Sequence, residues 1–230
     1  MPSSGRPKIL RMNAKSLGRP KTDPSRDLKR DLLHTSRQLL DEGGSAALSM
    51  REVARRSACT HQAPYHYFEN REAILASLVA DGFDELASCL KEANDLSVSK
   101  GTRAALVASG AAYIGFALAQ PGVFRIMFRP EVCDPSRFAT VQASGVRARD
   151  ELDRLNAIVH GNKAQATMAT ILWAHVHGLA CLLLDGPMAV QFETAIERTK
   201  YLQRVGEKFA DLVVPQEVRS KKTRVGRETS

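Results

Sequence analysis

A chain of 230 residues with 43% hydrophobic side chains is long enough to bury a core, as one larger domain or two small ones. Its net charge of +8 is concentrated at the ends: residues 1–30 carry nine basic and two acidic side chains, residues 215–230 five and two, and the stretch between them sums to −2. This excludes a generally basic surface and fits a globular body with a basic arm for a polyanion, the C-terminal run reading equally well as a solubilising tail.

Residues 1–22 are polar, basic and punctuated by Pro and Gly, and read as a disordered arm. Within them Gly18-Arg19-Pro20-Lys21 resembles the minor-groove core of an AT-hook, with a charged linker as the plainer alternative. Asp23-Pro24 opens a helix with Pro at the first helical position; Leu28, Leu32, Leu39 and Leu40 give it an apolar stripe, and Gly43-Gly44 end it. Ser49 and Glu52 have capping-box spacing, so a second helix starts at Ser49 with Val53 and Ala54 inward and Arg51, Arg55 and Arg56 outward. Small Ser57-Ala58-Cys59 suit a sharp turn, after which Thr60 can cap a third helix with His61, Gln62 and Ala63 in its first turn. Asn70 caps a long helix striped by Ile74, Leu75, Leu78, Val79, Leu86 and Leu90 that fades near Asn94.

From Thr102 the chain becomes more apolar. Helices are expected over 103–120, stopped by Pro121-Gly122, over the short piece 123–128, and over about 138–160, 163–184 and 189–213. Period-2 alternation is weak throughout, so the fold class is all-α. The expected organisation is a helix-turn-helix head over 23–70 and a helical body over 71–213, the latter opening with a connecting helix over 71–95. A basic tail over 214–230 completes it.

The first turn of the second helix of a helix-turn-helix enters the major groove, which makes His61, Gln62 and Ala63 candidate base readers. Gln can bond adenine bidentately, and a small apolar group can meet a thymine methyl. Ser49, Arg51, Thr60, Tyr65 and His66 are candidate contacts around them, and Arg71 could hold a phosphate beside a helix N-terminus. Phe68 and one of Tyr65 and Tyr67 should be packed, the other facing DNA. Pro64 removes one first-turn hydrogen bond and should bend the helix without breaking it.

These residues resemble the N-terminal domain of the TetR family of transcriptional regulators: Ser49-x-x-Glu52-Val53-Ala54, Thr60, Tyr65-x-Tyr67-Phe68 and Arg71-Glu72-x-Ile74-Leu75. The family's usual Ala-Gly-Val-Ser at the turn stands here as Ser57-Ala58-Cys59-Thr60, its Leu before the Tyr is Pro64, and its frequent Lys is Arg71. Ala63-Pro64-Tyr65, Phe124-Arg125-Ile126-Met127-Phe128 and Trp173-x-x-x-His177-Gly178-Leu179 resemble a subgroup whose C-terminal domain carries a Trp and a His-Gly pair on one helix. The resemblance spans roughly residues 25–210. It implies a homodimer on a palindromic double-stranded DNA operator, pairing through the last two helices, with a small-molecule effector cavity in each body. A repressor is the expected role. Apolar residues on more than one face of 163–184 and 189–213 fit such pairing. The alternative is an architectural, nonspecific DNA-binding protein acting through the basic arm.

Candidate cavity residues are the large or polar-tipped Tyr113, Phe116, Phe124, Met127, Trp173 and His177, for each of which core packing is the favoured alternative, His177 being the most open. His175 and His177 lie about 200° apart around a helix, so no metal site is expected, and no cofactor. With no glycine-rich phosphate loop, G-x-S-x-G or H-E-x-x-H, no catalytic residues and no enzyme activity are expected. Cys59, Cys89, Cys133 and Cys181 are scattered through apolar stretches and read as structural thiols of a reducing cytosol. The longest apolar run, 171–184, is shorter than the roughly 20 residues of a membrane span, and no apolar stretch typical of a signal peptide follows the basic N-terminus. A cytoplasmic, nucleoid-associated protein is expected.

Overall fold

Nine α-helices, with no strand among the described residues, make up a computed structural model that describes residues 27–161 and 164–214. The expected arm, its Gly18–Lys21 segment, the helix start at Asp23-Pro24 and the basic tail beyond Val214 lie outside these residues. α1 (Leu28–Ala47) is capped by Asp27, whose carboxylate accepts from the Arg30 amide at 3.2 Å. Gly43 and Gly44 leave helical geometry, Gly44 at φ +64°, a left-handed backbone that favours glycine. α2 (Met50–Arg56) leads through a 3-10 turn (Ala63–His66) to α3 (Arg71–Asp95), capped by Asn70, whose side chain accepts from the Ala73 amide at 3.0 Å. The 25-residue α3 buries its expected stripe completely or nearly so.

The body follows as α4 (Ser97–Lys100), α5 (Thr102–Ala119), α6 (Pro121–Met127), a 3-10 turn (Pro135–Arg137), α7 (Ala139–His160), α8 (Ala166–Leu184) and α9 (Ala195–Val213). α3 packs on α7, α5 and α6; α5 packs on α8 and α9; and α1 packs back on α6. One apolar cluster therefore runs from Leu32, Leu39 and Leu40 of α1, through α3, to Phe124 and Ile126 of α6. A smaller one joins Ala105, Leu106, Leu155, Val159, Leu172 and Ala210. Where α1, α3 and the α5–α6 corner meet, Arg37 donates to Glu85 Oε1 at 2.7 Å and to Gln120, and Gln120 donates to the same Glu85 carboxylate.

Three expectations about these elements are corrected. Pro121, expected to stop a helix, also starts α6 at the position where its missing N–H costs nothing. α9 begins six residues later than 189, at Ala195, because residues 186–194 form turns that end where the Thr194 hydroxyl accepts from the Glu197 amide at 3.1 Å. The run 171–184 extends back to Ala166, the apolar count having stopped at the threonines Thr167 and Thr170. α8 is thus 19 residues long with mean hydropathy 1.6 over an 18-residue window, and α5 reaches 1.3; by length and composition alone both could cross a membrane.

Candidate nucleic-acid interface and ligand cavity

The Ser49 hydroxyl accepts from the Glu52 amide at 3.2 Å, which starts α2 as expected. The Glu52 carboxylate does not complete the capping box. It accepts from Arg55 at 2.6 and 2.8 Å and from Arg56 at 2.9 Å, and these hydrogen bonds, that of Arg55 first, hold its pKa down to about 2. Arg56 also meets Glu42 at 2.6 Å. The charges of Arg55 and Arg56 are thus internally matched, whereas exposed Arg51 has no partner among the described residues.

α2 ends in a Schellman motif. Cys59 N–H donates to the Ala54 carbonyl at 3.1 Å and Ala58 N–H to that of Arg55 at 3.3 Å, while Ala58 takes the left-handed position with φ +51°. Ala58 stands where the family's usual turn has Gly, so it accepts a backbone that its Cβ disfavours.

Beyond the turn, the structure departs from the expected helix. Thr60 makes no side-chain cap; its carbonyl accepts from the Ala63 amide at 3.0 Å, and the following residues form only the 3-10 turn. The cause is Pro64, which has no N–H to continue an i→i+4 ladder from Thr60. Its own carbonyl accepts from Tyr67 at 3.0 Å and Phe68 at 2.9 Å and so closes the turn. Pro64 and Phe68 are buried, and both Tyr65 (52% exposed) and Tyr67 (46%) face outward, so the expectation that one tyrosine packs is corrected. Thr60, His61, Gln62 and His66 are exposed beside them, and Ala63 is half-buried. Tyr67 joins this surface unassigned by the sequence reading, which could not tell it from Tyr65.

Arg71 is also corrected. Its Nε donates to the Leu48 carbonyl at 2.7 Å and Nη2 to that of Ser45, so the half-buried guanidinium ties the start of α3 to the α1–α2 connection. Those donors are committed within the chain, and the side chain positions the head more than it offers a phosphate contact.

In the body, a cavity of about 1240 Å³ lies among α3, α5, α7, α8 and α9. Of the candidate cavity residues, Tyr113 and Trp173 line it; Phe116, Phe124, Met127 and His177 do not, the first three being at least 95% buried in the core behind it. For Phe124 and Met127 the reason is α6, whose inward face fills the space between α1 and α3 and leaves Phe128, at its end, to reach the wall. Sequence reasoning missed Phe83, Leu86 and Leu90, although the last two belong to the α3 stripe. Trp173 Nε1–H donates to the Tyr113 hydroxyl at 3.2 Å, and that hydroxyl lies 2.9 Å from His177 Nδ1. Burial pushes the Tyr113 pKa up and the His177 pKa down. A neutral phenol donating to a neutral imidazole satisfies both. His175 stacks on Phe209 of α9, ring centroids 3.7 Å apart. Cys181, read as a structural thiol, is exposed on α8, whereas Cys133 is buried.

The family model described as "Bacterial regulatory proteins, tetR family" matches residues 32–78, which hold α2, the 3-10 turn and the start of α3, and that described as "Tetracyclin repressor-like, C-terminal domain" matches residues 106–202, across the cavity. The HTH-type transcriptional regulators Rv1816 of Mycobacterium tuberculosis and Mb1846 of Mycobacterium bovis are each 31% identical over 116 residues, 49% of this chain and 49% of theirs. The chain thus spans about half the length of the curated relatives it matches. A protein of unknown function from Rhodococcus sp. RHA1 superposes with a TM-score of 0.69 at 25% identity, covering 86% of this chain and all of its own. The TetR family regulator PfmR from Thermus thermophilus gives 0.59 at 17% identity over 80% of this chain and 96% of its own, a likeness of fold alone. Since matches to one family account for both the α1–α3 end and the cavity end, and together for more than half of the chain, the protein belongs to the TetR family of transcriptional regulators.

Proposed function

We propose that this protein is a homodimeric transcriptional repressor that binds a palindromic operator and is released by a small molecule entering its body. The observation that carries this reading is the course of α3. It starts three residues after Tyr67 and Phe68 close the recognition turn, and its middle supplies Phe83, Leu86 and Leu90 to the cavity wall. A ligand that shifts this wall tilts the same rigid rod that carries the DNA-reading surface, which couples the two sites. Arg51, Thr60, His61, Gln62, Tyr65, His66 and Tyr67 form the proposed contact surface, with Gln62 as the principal base reader. Residues 23–70 act as the head and 71–213 as the effector-binding and dimerisation body. On Trp173, His177 and Gly178 we assign the chain to the subgroup with that pattern.

Dimerisation is supported by the outward face of α8. Ile171, Ala174, Cys181 and Leu182 are exposed at helical spacing, and a side chain added at Gly178 would meet nothing within 4 Å. Ile196 of α9 is 68% exposed as well. Apolar surface of this extent on two neighbouring helices marks a protein interface, and membrane crossing by α5 or α8 is disfavoured because each packs within the body. As a family regulator acting on DNA, the protein works in the cytoplasm.

The test is selection of bound DNA from a random pool, followed by binding across salt concentrations. A palindrome is expected, with Gln62→Ala lowering affinity for it about tenfold or more while leaving random DNA unaffected. Ile171→Glu with Leu182→Glu should give a folded monomer, by ultracentrifugation, that no longer binds the palindrome. A single non-palindromic half-site, or equal affinity for all DNA that vanishes on deleting residues 1–22, would instead favour the architectural reading.

A further inference from the structure

We infer that the cavity takes an extended aliphatic carboxylate, its chain laid along α5 and its head group anchored by Arg198; this rests on the effector-cavity reading above. α5 contributes wall residues from Arg103 to Ala119, which at 1.5 Å per residue draws the space out along roughly 24 Å. Spread over that length, the volume of about 1240 Å³ corresponds to a cross-section of roughly 50 Å². An elongated, partly open cleft of this section suits an extended chain better than a compact ring system. Its wall is mainly aliphatic or small, with Leu106, Val107, Ile114, Val176, Leu179 and Leu202 among its lining side chains.

The charge on the wall is one-sided. Lys100, Arg103, Arg149 and Arg198 line the cavity against a single carboxylate, Glu207. Arg103 is paired with Asp211, and Arg149 meets Asp153 at 3.3 Å. Lys100 and Arg198 have no ion pair or side-chain hydrogen bond among the described residues. Of these two, Lys100 is exposed and Arg198 half-buried, so water screens Arg198 less. Arg198 also stands at one end of the cleft. α9 runs antiparallel to α5: Arg103 donates to the Glu207 carbonyl at 3.1 Å and pairs with Asp211, and a Cβ at Gly206 would lie 3.6 Å from Val107 Cγ1. The same register brings Arg198 opposite Gly115 and Leu118, which line the cavity with it. A half-buried guanidinium without a partner at the end of an apolar cleft matches a carboxylate, which it can hold through two parallel hydrogen bonds.

The experiment measures binding of octanoate, decanoate, dodecanoate, dodecanol and dodecylammonium to the full chain. Calorimetry and the fluorescence of Trp173, the only tryptophan and a wall residue, report it. Affinity is expected to rise about fourfold per added methylene from octanoate to dodecanoate. Dodecanoate should bind about tenfold tighter than dodecanol, and dodecylammonium weakest. Arg198→Gln should bring dodecanoate down to the level of dodecanol without altering dodecanol itself, whereas Lys100→Gln should change neither. Absent binding, affinity flat with chain length, head groups that bind alike, or an Arg198→Gln variant that keeps the carboxylate preference would each overturn the inference. DNA binding is measured separately on the selected operator. Tight dodecanoate binding that leaves operator affinity unchanged would sink the effector-release reading and leave the ligand class standing. Operator release by a compound that is not an aliphatic carboxylate, with no dodecanoate binding, would do the reverse.

Discussion

The amide of Gly122 donates to the Asp41 carboxylate at 2.8 Å, so the first turn of α6 in the body is capped by the last turns of α1 in the head. A Cβ at position 122 would lie 2.6 Å from both the Asp41 nitrogen and the Leu40 carbonyl carbon, which are backbone atoms that cannot step aside. Gly122→Ala is therefore expected to force α1 away from α6 and destabilise the fold by about 1–3 kcal/mol. Urea denaturation checks the loss. Because the displaced helix belongs to the head, operator affinity should fall even at temperatures where the variant remains folded.

Ala58 holds a left-handed backbone at the end of α2 without the freedom of glycine. Ala58→Gly relieves the Cβ strain at a modest cost in unfolded-state entropy, and should stabilise the protein by about 1 kcal/mol. A β-branched residue there, Ala58→Val, should destabilise it by at least as much. Thermal melting of the two variants gives the signs directly, and an Ala58→Gly protein that melts earlier than the parent would contradict the Schellman geometry.

Arg71 separates a positioning role from a phosphate role. Lysine keeps the charge but cannot donate to the Leu48 and Ser45 carbonyls from one planar fork. Arg71→Lys should lower the melting temperature, with a loss of about 1–3 kcal/mol. The dependence of operator affinity on salt should keep its slope, since no phosphate contact is removed. In Arg71→Gln, which removes the charge, a shallower slope with unchanged melting would assign Arg71 to DNA.

The two histidines of α8 give stability a pH dependence. Burial depresses the folded pKa of both His175 and His177 below the ordinary histidine value. Between the unfolded value near 6.5 and the folded values, the unfolded chain binds more protons, so stability rises with pH there. It is fully present above about pH 7 and is lost as pH falls through the unfolded and then the folded values. His177→Phe should flatten this acid-side slope and, by leaving the Tyr113 O–H without an acceptor, lower stability at pH 8 by about 1–3 kcal/mol. Melting temperatures from pH 5 to 8 measure both effects.

Local signals in the chain carried much of the fold. Ser49, Asn70 and the stripe from Ile74 to Leu90 announce their helices because capping and 3.6-residue periodicity are written within a few residues. The recognition element was misjudged as a longer helix because the effect of Pro64 depends on whether neighbouring packing can restore its missing bond, and here a buried 3-10 turn is the outcome. Cavity residues were less legible. Tyr113 and Trp173 announce themselves by size, but Phe124 and Met127 differ from Phe128 only in which way a seven-residue helix faces. The engagement of Arg71 with carbonyls 23 and 26 residues away, and the solitude of Arg198, are tertiary facts with no local signature.

The apolar cluster that runs from Leu32 to Phe124 constrains how such regulators can be recombined. A new DNA specificity grafted by crossover at Asn70 would set a foreign α1 against the native α6, losing the Asp41 cap and the seat that only glycine at 122 permits. The interchangeable cassette is the longer segment ending at Met127, which carries α1 and α6 together. Any exchange of the head of this chain must bring part of the body's own architecture with it.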